Sequence, residues 1–127
     1  MDARYFSFSG TTLFFSTRDE IVKVKLGRVA YFEADSNYCN VYFINGARAT
    51  LFASLTAIEK LLSEKFRDTK TVFIRIGKKF IINTQFIFQI NVLKQKILFS
   101  DYTSPIIFEI TVAKEALKKL KMLYEPR

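Results

Sequence analysis

The chain has 127 residues, half of them hydrophobic and a quarter charged, the composition of a globular domain and not of a disordered segment. That length allows one sizeable core but not two ordinary ones. The formal charge is +8, no histidine is present, and Cys39 is the single cysteine. Without histidine there is no Ser-His-Asp or Cys-His nucleophile and no histidine-containing zinc site; with one cysteine there is no cysteine-only metal cluster and no internal disulfide. A reduced, cytoplasmic protein fits this cysteine usage. No apolar run reaches the ~18 residues of a spanning helix. The N-terminus, MDARYFSFSG, lacks the basic segment and apolar stretch of a signal peptide.

Residues 1–19 read as an N-terminal extension of one or two strands, at 5–9 and 12–16, ahead of a domain at 20–127. Ile21, Val22, Val24 and Leu26 set against Lys23 and Lys25 make a half-buried strand. A turn at 26–28 leads to a second strand at 29–34. The polar break Asp35-Ser36-Asn37 separates it from a third at 38–44. Asn45-Gly46 is a strong hairpin signal, so residues 48–52 should return antiparallel to 38–44. Ser54 is a suitable N-cap for a helix whose apolar stripe is Leu55, Ile58, Leu61 and Leu62.

Strands resume at 71–76, 80–82, 86–92, 96–100 and 106–110. Thr111 offers a cap for a closing helix with Ala113, Ala116, Leu117, Leu120 and Leu123 inward. Lys118, Lys119 and Lys121 lie near its C-terminus, where cations complement the helix dipole. The order predicts a mainly β fold with two helices, built as layers of antiparallel sheet. Fourteen phenylalanines suit the space between thin packed sheets; an aromatic platform for single-stranded bases is the sharper alternative.

Charge is distributed unevenly. Residues 1–63 carry 7 Lys and Arg against 6 Asp and Glu, whereas residues 64–127 carry 13 against 6. The excess gathers at Lys65–Arg67–Lys70, Arg75–Lys78–Lys79, Lys94–Lys96 and Lys114–Lys121, the electrostatic footprint of a polyanion binder. Within Phe73 to Asn83, FIRIGKKFIIN, two apolar strands flank Gly77, which permits a tight reversal and leaves Lys78 and Lys79 on an exposed tip. No phosphate-cradling glycine loop is present, so no cofactor is expected. Glu33 and Asp35 are the most suggestive carboxylate pair, and a solvated strand end explains them without catalysis.

Three segments carry a family resemblance. Val29-Ala30-Tyr31-Phe32-Glu33-Ala34-Asp35-Ser36-Asn37-Tyr38 resembles the opening signature of the LytTR DNA-binding domain. Ala53-Ser54-Leu55 opens the helix as in that family, and Phe73 to Asn83 is similar to its Phe-x-Arg-x-His-Arg-Ser-aromatic-x-Val-Asn. Ile110-Thr111-Val112-Ala113-Lys114 sits where the family has its Leu-Pro-Val-Ser-Arg element. The resemblance implies an elongated, mostly β, non-enzymatic fold that presses loops into successive major grooves of duplex DNA. It further implies bacterial transcription regulation, often from direct repeats and so with a second copy of the chain on the DNA. Family members usually carry a receiver domain ahead of this part, as response regulators do; 127 residues leave no room for one, so the sequence is either a stand-alone regulator or a piece of a longer protein.

On this resemblance the base-reading candidates are Asn37, Cys39, Lys78 and Lys114. Ser54, Arg75, Lys79 and Asn83 match positions that hold or support the phosphate-facing surface. Each has a plainer reading. Cys39 fits a small buried thiol, Arg75 a surface ion pair, and Asn83 a cap on the turn at Thr84-Gln85. Lysine at 78 and 114 also replaces arginine, which loses the planar fork that grips guanine. A β-rich protein-interaction module without DNA binding is the alternative function; a weaker one, adhesion to anionic membrane through the last helix, requires a partner the resemblance does not imply.

Overall fold

Eleven strands and two helices are laid down in a computed structural model that describes residues 6–65 and 72–125. The first three strands, β1 (Phe6–Ser9), β2 (Thr12–Ser16) and β3 (Ile21–Lys25), form an antiparallel sheet of their own. The central sheet has five strands in the order β6-β5-β4-β8-β7. They are β4 (Val29–Asp35), β5 (Tyr38–Phe43), β6 (Arg48–Leu51), β7 (Phe73–Ile76) and β8 (Phe80–Asn83). A third sheet joins β9 (Ile87–Asn91), β10 (Lys96–Phe99) and β11 (Phe108–Thr111). Helix α1 (Leu55–Lys65) links β6 to β7, and α2 (Lys114–Met122) follows β11. Every strand pairing is antiparallel.

Alternation along the central strands explains the layering, because successive side chains of a strand leave opposite faces. Phe32, Cys39, Val41 and Ile81 enter one core with Leu13, Phe15 and Val24 of the first sheet and Leu55, Ile58 and Leu62 of α1. Tyr31, Phe80 and Ile82 enter a second core with Ile97, Phe99 and Ile110 of the third sheet and Leu117 and Leu120 of α2. The central sheet is therefore covered on both faces, and all four residues of β8 are buried. Strand β2 sends Leu13 and Phe15, each only 1% exposed, into the first core, and Phe6 and Phe8 of β1 pack against that core.

The phenylalanines divide accordingly. Phe15, Phe32, Phe80 and Phe99 are core residues, while Phe52 and Phe88 are exposed. Tyr31 sits at the centre of an aromatic cluster, stacked on Tyr42 at 4.6 Å and on Phe99 at 5.3 Å between ring centroids.

Several boundaries differ from the sequence reading for identifiable reasons. The Asn45-Gly46 hairpin closes as a three-residue loop in which only Gly46 takes a positive φ, 97°. Phe43 N–H donates to the Ala47 carbonyl and Gly46 N–H to that of Phe43, each at 2.9 Å, the geometry of a turn followed by a left-handed glycine. Thr111 does not cap α2. It is the last residue of β11, paired with Lys96, and the N-cap is Ala113, which has no side chain to do the work. Leu123 and Ala113 are exposed, so the buried side of α2 is narrower than its apolar spacing implied. Arg67, Lys70 and the starts of the strands expected at 5 and 71 lie outside the described residues.

Candidate nucleic-acid interface

Register alone gathers three projections at one end of the central sheet. Asp35 pairs with Tyr38 across the two-residue turn Ser36–Asn37, so β4 and β5 turn back at that end. Leu51, the last residue of β6, lies opposite Cys39, so the chain leaves for α1 from the same end. Phe80, the first residue of β8, lies opposite Glu33. The Ala34 N–H donates to the Lys79 carbonyl at 2.8 Å, which ties the Gly77–Lys79 tip to the end of β4. The start of α2 joins them: Gly77 and Arg75 line one cleft together with Ala113, Glu115 and Lys119.

The β7–β8 tip is held by one side chain. Gly77 takes a φ of 60°, a left-handed conformation that suits glycine. Arg75 Nε donates to the Gly77 carbonyl at 2.9 Å and Nη2 to the Lys78 carbonyl at 3.2 Å. Its Nη1 donates to Glu59 Oε1 at 3.1 Å and to Thr56 Oγ1 at 3.4 Å, both on α1. The guanidinium thus bridges helix and tip, and five donors in a planar fork make that possible where a lysine could not.

The cations at this end differ in how they are engaged. Lys79 pairs with Glu33 at 3.4 Å and lies 5.7 Å from the centroid of the Phe80 ring. Neither Lys78 nor Lys114 forms an ion pair with a described residue, and both are exposed. Lys114 is the first residue of α2, where a positive side chain opposes the positive end of the helix dipole. Glu115 is the acidic residue of that first turn, and it pairs with Lys118. A phosphate arriving there would meet a lysine and free helix N–H groups together.

The remaining candidates are placed less uniformly. Asn37 is exposed on its turn beside Ser36, whose φ of 54° is unusual for a residue with a side chain. Ser54 Oγ accepts the Ala57 N–H at 3.1 Å and is the helix cap its position suggested. Cys39 is fully buried, and burial, its largest influence, pushes its thiol up to about 12. Inward alternation in β5 aims it into the core beside Val41 and Phe32, the setting of a small buried thiol. Asn83 is also fully buried: its side chain accepts from Gln85 N–H at 2.9 Å and donates to the Val29 carbonyl at 2.9 Å. Its side chain thus ties the end of β8 to the start of β4 and caps the turn that follows.

Two further features escaped the sequence. Tyr38 and Phe52, both assigned there to strands, form an exposed ring pair at this end, 5.1 Å between centroids. Only the β5–β6 register, which puts both on the face opposite Cys39 and Leu51, could have joined them. Beneath them Asn40 is buried, donating to Asp35 Oδ2 at 3.3 Å and accepting from Thr50 Oγ1 at 2.8 Å, a polar brace under the Ser36–Asn37 turn.

The family model for the LytTr DNA-binding domain matches residues 19–125. The chain belongs to the LytTR family. Its fold is also that of the LytTr DNA-binding domain of a Bacillus cereus protein assigned as a methyl-accepting/DNA response regulator. That structure is 22% identical in sequence, has a TM-score of 0.65, and aligns over 93% of this chain and 100% of its own. No curated protein gives a significant match. The LytTR family is one of DNA binding and transcription regulation, not of catalysis, and this chain shares that general function. Among the described residues no helix is long and apolar enough to cross a membrane, and no group of His, Cys, Asp and Glu could hold a metal.

Proposed function

We propose that this LytTR domain binds duplex DNA sequence-specifically by setting projections from one end of its central sheet into successive major grooves. Asn37, Lys78 and Lys114 face base edges; Lys79 and the capped start of α1 at Ser54 lie against phosphates. Arg75 supports the tip from behind. The observation that carries the reading is the convergence of the Ser36–Asn37 turn, the Gly77–Lys79 tip and the start of α2 at one end, with Lys78 and Lys114 unpaired among described residues. Phosphate contacts set register, while a few residues at loop tips read sequence. Control of bacterial transcription from direct repeats, with a second copy on adjacent half-sites, follows as the regulatory setting.

The test is an electrophoretic shift on duplexes selected from the source genome. Lys78→Ala and Lys114→Ala should each weaken binding by about 1–3 kcal/mol if they reach bases, and each removed phosphate contact should lower the salt slope by about 1. Unchanged affinity in both variants would remove them from the contact surface. Retention of a protein partner, with no DNA shift at any salt concentration, would favour the interaction-module alternative.

A further inference from the structure

The exposed pair Tyr38–Phe52 has no structural role that explains its position. Both rings are about half exposed, at 46% and 49%, and they touch each other at the end of the sheet that carries Asn37 and Ser54. Singly exposed apolar residues are ordinary, but a contiguous aromatic pair continuous with a polar, cationic edge marks a contact surface. A second exposed ring pair among the described residues, Phe88 with Tyr102, joins β9 to the loop after β10 in the third sheet.

We infer that Tyr38 and Phe52 form an apolar contact for thymine C5-methyl groups in the major groove and so help set which sequences this domain prefers. The inference rests on the DNA reading above. The chemistry is complementary on both strands of one pair: an asparagine amide such as Asn37 matches the adenine N6 and N7 edge, and an aromatic or aliphatic surface matches the methyl of the paired thymine. Tyr38 follows Asn37 directly in the chain, and Phe52 braces it from the neighbouring strand. Neither ring needs to move to be reached.

Replacing thymine by deoxyuridine deletes that methyl and changes nothing else in the pairing. A random-sequence duplex pool made with dTTP is selected on the full chain, and one enriched duplex is resynthesised with each thymine singly replaced by deoxyuridine. The wild-type chain should lose about fourfold in affinity at one or two thymines, the effect of exposing one buried methyl. Phe52→Ala and Tyr38→Ala should bind the thymine and deoxyuridine duplexes alike, while Phe52→Leu, which keeps an apolar surface, should retain the difference and controls for folding. Enrichment with no sensitivity to any single deoxyuridine overturns the inference and leaves the DNA reading standing. So does equal weakening of both duplexes in Phe52→Ala with the ratio intact, which would mean packing against sugars. No enrichment of any duplex would overturn both.

Discussion

Lys78 and Lys114 each follow in the chain a residue that lines the same cleft, Gly77 and Ala113, yet the backbone beneath them is secured in opposite ways. Lys78 stands on a three-residue tip whose carbonyls are gripped by Arg75, itself anchored on Glu59 and Thr56 of α1. Lys114 opens a helix whose N-cap, Ala113, makes no side-chain hydrogen bond. The backbone under the first cation is fixed before it meets a groove, although its exposed side chain is not. The second sits on a helix end with unsatisfied N–H groups that an anion would complete. The same residue type is thus carried once on a braced backbone tip and once on a helix end that an anion would complete.

Removing the brace should have the largest effect. Arg75→Ala should cost about 2 kcal/mol of folding stability, because charge-assisted hydrogen bonds within and behind the tip are lost together. It should also weaken DNA binding more than Lys78→Ala does, as read by denaturation and gel shift. Arg75→Lys should not rescue either property, since an ammonium cannot serve two carbonyls and a carboxylate in one geometry. Equal stability and binding in Arg75→Ala would show that the tip holds its shape unaided.

Gly77→Ala tests the same tip from the backbone. An added Cβ would meet no atom within 4 Å, so the cost is purely conformational, about 1–2 kcal/mol for a left-handed residue with a side chain. Thermal denaturation should report it. At the contrasting site, Ala113→Ser should stabilise the chain by about 0.5–1 kcal/mol by capping α2, and should erode the advantage of an incoming phosphate there. A variant no more stable than the parent would mean that the helix start is already satisfied.

The last test lies in β5, next to the Ser36–Asn37 turn. Native Cys39 should not react with a thiol reagent at pH 8 and should react once the chain is unfolded. Its thiol is raised from 9.0 to about 12, so the folded state keeps a proton that the unfolded state gives up in between. Its contribution is full below pH 9 and is lost as pH rises toward 12, a decline measurable by denaturation in alkaline buffers. Rapid modification of the folded chain would place Cys39 at the surface, where a base reader must lie.

Much of this was legible in the sequence. Alternation marked the strands of all three sheets, the Ser54 cap and its apolar stripe marked α1, and Gly77 between two apolar runs marked the tip. What local pattern left open was which face each residue occupies. Cys39 and Tyr38 are neighbours in β5, yet one is buried and the other exposed, and only pairing to β4 and β6 says which. Asn83 and Ser54 are both polar caps, yet Asn83 is buried in the core while Ser54 is exposed at the start of α1. Thr111 looked like a helix cap until the β10–β11 ladder claimed it.

The sequence by itself determined the elements and the chemistry available to them: mostly strands, two amphipathic helices, a basic second half, no histidine and one cysteine. Those properties are local, because period, propensity and residue type act over a few neighbours. Tertiary structure alone decided that turns about forty residues apart share one end of a sheet. It also decided that Arg75 spans from strand to helix and that two distant rings meet in the open. Strand register and sheet order set those distances, and both depend on pairings between segments that no local pattern specifies.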